Sequence, residues 1–137
     1  MEALRFALTE ARLRGASLSA IHTWQPPSSG AGFGFTDGAY RADVLSDLRS
    51  AAEAALDATI EEAIPDVGEV EIERRVIEGA PAGVLVEQSR GAELLVVGSR
   101  GLGGFRGLLL GSVSQQCAHH ATCPVVIVHA PTDSAAK

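Results

Sequence analysis

The residues best placed to do chemistry lie between positions 98 and 114. They read Gly98-Ser99-Arg100-Gly101, then nine residues, then Gly111-Ser112-Val113-Ser114. Glycines at 98 and 101 carry no side chain, so backbone amides there approach a ligand closely. The excursion between the two blocks holds Gly103, Gly104 and Gly107 and has the freedom to fold over that ligand. Gly111-Ser112 then opens a helix. The first N–H groups of a helix have no partner inside it, and the helix dipole places positive charge there, which makes an anion site. Ser112 and Ser114 supply hydroxyls, and Arg100 and Arg106 supply local positive charge. The parts suit a chain of phosphates. A plainer reading has the glycines making turns and Ser112 capping a helix.

Other phosphate and nucleophile signatures fail on spacing. There is no G-x4-G-K-[ST], and the only lysine is Lys137. Gly101-x-Gly103 does not continue to G-x-G-x-x-G, and no G-x-S-x-G elbow occurs. Cys117, His119, His120 and Cys123 cluster, but C-x-H-H-x2-C is not a familiar zinc spacing. Buried thiols beside solvent-facing imidazoles explain them as well, and nothing marks either thiol as redox-active. Glu61-Glu62 reads as a solvated helix face. Trp24 either stacks on a base or packs beneath a loop, and His22 stands beside it.

These residues need a frame to position them. Residues 2 to 14 follow a helical period that ends at Gly15, a left-handed cap. Leu18 to Thr23 has strand length. Ser28 to Gly38 is Gly- and Ser-rich and reads as a surface loop, carrying Phe33 and Phe35 with Tyr40 beyond. Residues 43 to 64 form the longest helix, with Leu45, Leu48, Ala52, Ala55, Leu56, Thr59 and Ala63 on its apolar face, stopped by Pro65. Val70 to Glu78 alternates apolar and charged, as an edge strand does. Pro81 opens a helix that runs to about Arg90. Leu94 to Val97 is an unbroken apolar run, read as a buried parallel strand ending at Gly98, where open α/β sheets bind ligands. A helix over 112–121 and a strand over 125–128 follow. Helices alternating with strands predict an α/β fold with a doubly wound, mostly parallel sheet. Residues 1 to 130 read as a single domain, followed by a disordered tail over 131–137.

Composition narrows the function. The chain has 137 residues and a formal net charge of −6, and ten of its eleven cations are arginines. That balance argues against bulk binding to nucleic acid or anionic membrane. No apolar run approaches the ~20 residues of a membrane span. Two cysteines make no disulfide framework, which fits the cytoplasm.

At this point the pattern G-x2-G-x9-G-[ST] over 98–112 resembles the ATP-binding signature of the universal stress protein family. Leu94 to Gly101 resembles the family's fourth strand and turn, Gly111 to Ser114 the start of its last helix, and Cys123 to Val128 its last strand. Glu2-Ala3-Leu4 resembles the first helix, and Ile21-His22-Thr23-Trp24 the second strand. The resemblance covers essentially the whole chain and implies the adenine-nucleotide α-hydrolase-like fold. It implies ATP, possibly with Mg2+, as ligand, a stress-response regulatory module, and very slow or no hydrolysis. It places Val97, Gly98 and Gly101 along the nucleotide, with Arg100 following by position. Gly111, Ser112, Val113 and Ser114 fall around the phosphates, and Thr23 near the adenine or ribose. It also implies a homodimer through Val125, Val126, Ile127 and Val128.

One departure stands out. The family opens with a central strand ending in an Asp-containing turn, and here Met1 stands where the first helix begins. The reading that follows is a chain lacking its first strand, with four strands left, lowered stability and weaker nucleotide binding. A short form that fills the gap by pairing with another chain stays open. So does an interaction module of the same fold that binds no nucleotide.

Overall fold

A computed structural model describes residues 1–26, 42–99 and 110–130. The predicted loop over 28–38, the tail over 131–137 and the excursion after Ser99 lie outside the described residues. The elements are α1 (Glu2–Arg14), β1 (Leu18–Trp24), α2 (Ala42–Ala63), β2 (Ile72–Glu78), α3 (Pro81–Gln88), β3 (Leu95–Gly98), α4 (Ser112–His120) and β4 (Val125–Val128).

The boundaries have local causes. Gly15 caps α1 at φ 64°, the left-handed region where a side chain is strained. The amide of Ala16 then bonds back to the Ala11 carbonyl at 2.9 Å. Pro81 sits in the first turn of α3, where its missing N–H costs nothing. Pro65 follows the end of α2 and disfavours helical backbone at Ile64. Two α1 arginines donate to carbonyls at the end of α2 and in the turn after it. Arg5 Nε donates to Ala63 O at 3.0 Å, and Arg12 donates to Asp66 O at 2.9 Å.

The apolar face of α2 follows the predicted one at Leu45, Leu48, Ala52, Leu56 and Ala63 but is turned slightly. Ala52, Leu56, Ile60 and Ala63 are buried, whereas Ala55 and Thr59 are exposed. Ile60, absent from the predicted face, is among the most deeply buried side chains. Positions 52, 56, 60 and 63 keep the four-and-three spacing of one helix stripe; 55 and 59 lie one ridge over. Leu56 and Ile60 pack with Ala20 of β1, with Leu4, Ile72 and Val76 around them. Leu8, Ala63 and Ile64 form an adjoining cluster. The core therefore sits between α1, α2 and the β1–β2 pair.

Among the described residues the four strands form two parallel pairs rather than one ladder. β1 pairs with β2 from Leu18↔Ile72 to Trp24↔Glu78, and β3 pairs with β4 from Leu95↔Val125 to Gly98↔Val128. The predicted alternation of β2 holds. Arg74 reaches Asp57 of α2 at 2.7 Å, while its neighbour Arg75 turns to the other face and bonds Gln88 of α3. α1 packs on β1, β3 and β4, and α2 on β1 and β2. α3 packs on β1 and α4, and α4 on β4. Helices thus lie on both faces, the doubly wound arrangement expected.

The turn before β4 is fixed by a buried serine. Ser89 Oγ accepts from the Thr122 amide at 3.0 Å and donates to Val86 O at 2.6 Å. It ties the end of α3 to the entry of β4. Ser89→Ala leaves that amide without its acceptor and is expected to destabilise by about 1–2 kcal/mol. Urea unfolding should show a lower midpoint at unchanged slope.

Candidate functional site

The site forms where β3 ends and α4 begins. β3 is buried at Val97 and exposed at Gly98. Ser99 then closes the geometry. Its amide donates to Val128 O at 2.9 Å, which extends the β3–β4 ladder by one residue. Its carbonyl accepts from the Gly111 amide at 2.6 Å and from Ser114 Oγ at 3.1 Å. Two donors on one carbonyl hold Ser99 and Gly111 together across the excursion between them. Whatever that excursion does, it starts and finishes at one point.

Gly111 is the N-cap of α4, in extended backbone at φ −77°, and no side chain caps the helix. The Gln115 amide bonds Gly111 O at 3.0 Å, the first bond of the helix. The amides of Ser112, Val113 and Ser114 precede that bond and lack intrahelical acceptors. The positive end of α4 is therefore directed past the carboxyl end of β3. Ser112 is exposed there and Val113 half-buried. Ser114 is only 1% exposed, and its hydroxyl bonds to Ser99 O and to Gly111 O at 3.0 Å. Its single proton is engaged inward, so it locks the turn and contributes to an anion site through its backbone amide alone.

Thr23 lies at the end of β1, as its place in the sequence implies. Trp24 follows, half-buried, with its indole Nε1 enclosed and without a hydrogen-bond partner among the described residues. Arg100 and Gly101 lie outside the described residues, as do Gly103, Gly104, Arg106 and Gly107. The structure thus brings Val97, Gly98, Gly111, Ser112, Val113 and Ser114 together and leaves Thr23 on the neighbouring strand pair. Sequence reasoning placed Ser99 in the turn but missed its role as the clamp. The signal was present only as a serine after a buried strand and a glycine before a helix.

A cavity of about 850 Å3 runs from this site along the gap between β1 and β3. Gly98, Gly111, Val113 and Ser114 line one end. Arg14, Glu10 and Glu93 line it as well, and Arg14 sits 3.1 Å from Glu10 and 3.8 Å from Glu93. Glu93 stands just before the start of β3, at the opposite end of that strand from Gly98.

Within the cysteine and histidine cluster the two thiols differ, Cys117 buried and Cys123 half-buried. Cys117 is fully buried, and burial pushes its thiol above the ordinary range. His119 and His120 are exposed, with ring centroids 6.1 Å apart. Among the described residues no group of three or more metal-ligating side chains converges. A thiol reagent should label at most Cys123 in the native protein, and Cys117 only after unfolding. Rapid native labelling of both would contradict this burial.

The sequence pattern of the universal stress protein family matches residues 1–129. The chain belongs to that family. It is 39% identical over 126 residues to a universal stress protein of Mycolicibacterium smegmatis, covering 89% of this chain and 39% of that protein. It therefore spans about two-fifths of the length of that relative. A universal stress protein of Thermus aquaticus is 32% identical, with 89% of this chain and 84% of that one covered. Among solved structures, a universal stress protein in complex with cAMP is 28% identical with a TM-score of 0.57, covering 95% of this chain and 86% of that one. UspA from Lactobacillus plantarum, at 20% identity and TM-score 0.69, covers 93% and 87% and shares the fold. Among the described residues no helix is long and apolar enough to cross a membrane.

Proposed function

We propose that the chain binds an adenine nucleotide, ATP in the first instance, at the junction of β3 and α4 and acts as a regulatory or sensing module in a stress response. The observation that carries this reading is the uncapped start of α4, clamped by Ser99 against the exposed glycine that ends β3. The amides of Ser112, Val113 and Ser114 take the phosphates. Gly98 and the Val97 backbone lie along the nucleotide, with Gly101 and Arg100 joining from the excursion. Thr23 and the enclosed Trp24 stand on the side where base or ribose would lie. Two related folds bear on the ligand class. One was solved in complex with cAMP, and a universal stress family protein of Arabidopsis thaliana, 22% identical, was solved with AMP bound.

The reading is of a binding module with very slow or no ATP hydrolysis. Mg2+ would reach this site with the phosphates. The chain works in the cytoplasm and as a single domain over 1–130.

The test is release of bound nucleotide from natively purified protein, identified by mass spectrometry, followed by titration. Gly111→Val puts a branched side chain at the helix entrance in a backbone conformation valine tolerates. It should weaken ATP about tenfold or more, equivalent to about 1.4 kcal/mol. Unchanged affinity would remove the α4 terminus from the site.

We also infer a homodimer through β4. Its four residues Val125, Val126, Ile127 and Val128 are all half-buried, and only β3 pairs with it among the described residues. Leu95 N bonds Pro124 O and Ser99 N bonds Val128 O, so residues 124, 126 and 128 face β3 and Val125 and Ile127 face outward. Ile127→Pro removes an outward N–H and leaves the β3 ladder intact. It should shift the sedimentation coefficient from dimer to monomer without loss of nucleotide binding.

A further inference from the structure

The outer edge of β2 has no strand partner among the described residues, where β2 pairs with β1 alone. Backbone parity tells which groups line that edge. In a parallel strand each residue turns its N–H and C=O to one side, and successive residues alternate. Leu18 N bonds Glu71 O, and Gly79 N bonds Trp24 O, so the odd-numbered residues from Glu71 to Gly79 face β1. The N–H and C=O groups of Ile72, Arg74, Val76 and Glu78 point away from β1. The side chains of the same four residues share the α2 face. Ile72 and Val76 pack with Leu56 and Ile60, Arg74 bonds Asp57, and Glu78 follows by alternation.

Charged side chains on an edge strand ordinarily resist pairing. Here their order admits one partner. Opposite charges directly across an antiparallel pair stabilise it, and like charges oppose it. With a two-fold axis at Val76, Arg74 stands opposite the partner's Glu78, and Glu78 opposite the partner's Arg74. Val76 meets its own copy. An axis at Arg75 sets Arg75 against itself, and an axis at Arg74 does the same with Arg74. An axis at Ile77 sets Glu78 against Val76, and an axis at Glu78 sets that carboxylate against itself.

We propose that β2 pairs antiparallel with β2 of a second copy of this chain about a two-fold axis at Val76, through residues 74 to 78 of each. The four outward-facing residue positions supply the donors and acceptors of the new ladder. Both charged groups are available for it. Glu78 is exposed and has no ion pair among the described residues. Arg74 is held to Asp57 through Nη1 at 2.7 Å, and its guanidinium has further donors. Charge also favours a second copy over other partners. A groove beside this edge is lined by Arg49, Glu53, Asp57 and Arg74. With Glu78 these residues leave the edge near neutral in a chain of net charge −6, so two copies meet here with little repulsion. Residues 74 to 78 make a small contact of the weak, transient class, read at NMR concentrations. It is independent of the nucleotide reading and of the homodimer through β4, which uses another edge.

The test is amide exchange of the whole chain, 15N-labelled. Raising the concentration about twentyfold should slow exchange at Arg74, Val76 and Glu78 about threefold or more, while Glu73, Arg75 and Ile77, already turned to β1, stay unchanged. Glu78→Arg sets like charges opposite each other in both pairs and should remove the slowing. Arg74→Glu should do the same. An equimolar mixture of the two variants, with the label in one, should bring the slowing back, because opposite charges then meet in both pairs. The amides of Glu73, Arg75 and Ile77 report in every sample whether the β1–β2 pair is intact. Glu78→Arg, at an exposed position, carries the test alone if Arg74→Glu loosens the contact with α2.

No slowing in the unaltered chain overturns the proposal, as does slowing that survives Glu78→Arg. Two folded variants that fail to recover it on mixing overturn the register. Slowing that Ile127→Pro abolishes would assign the edge to β4 of a neighbour and overturn the symmetric pair.

Discussion

The arrangement depends on α1 spanning both strand pairs. α1 touches β1, β3 and β4, and its last turn is held to Glu93 as well as leading into β1. β1–β2 gain their core from α2, through Leu56, Ile60 and Ala20. β3–β4 have no comparable cluster among the described residues, and each residue of β4 is only half-buried. The register between the two pairs therefore rests on one helix and on the α3–α4 contact beneath. A buried backbone group must find a partner. Among the described residues, β1 and β3 have no strand partner on the edges that face the cavity.

Much of this was legible in the sequence, for local reasons. Gly15, Pro65 and Pro81 carry their meaning in their own backbone preferences, and all three stand at helix ends. The unbroken apolar run before Gly98 marked a buried parallel strand; it does run parallel to β4 with α1 packed on it, but only Val97 is buried and Leu94 to Val96 are half-buried. The phase of α2 was legible only in part. Leu45, Leu48, Ala52 and Leu56 point to one stripe, but alanines at 54 and 55 blur its edge, and Ile60 lost its place to Thr59. Packing against Ala20 decides that phase, and Ala20 is far away in the sequence.

The candidate site divides in the same way. A glycine ending a strand and a glycine opening a helix are sequence features, so the sequence could group Gly98, Gly111, Ser112 and Val113, which the structure places at the junction of β3 and α4. Ser114 lies with them, and its hydroxyl bonds inward to Ser99 O and Gly111 O. Between 99 and 114 the chain leaves and returns, and nothing in the residue types announces that Ser99 O will take two donors. The nine-residue spacing fixes only that return is possible. Which serine clamps and which one faces a ligand is set by the helix turn. Position 114 falls on the inward face of α4 with Cys117, and position 112 on the outward one.

The site and the cavity between β1 and β3 meet at Gly98. Its carbonyl and amide turn toward β1, while its neighbours Val97 and Ser99 turn toward β4. Ser99 in turn holds Gly111 and with it the start of α4. The Ser99 clamp thus orders the turn that Gly98 enters, and order present before a ligand arrives lowers the entropy lost on binding.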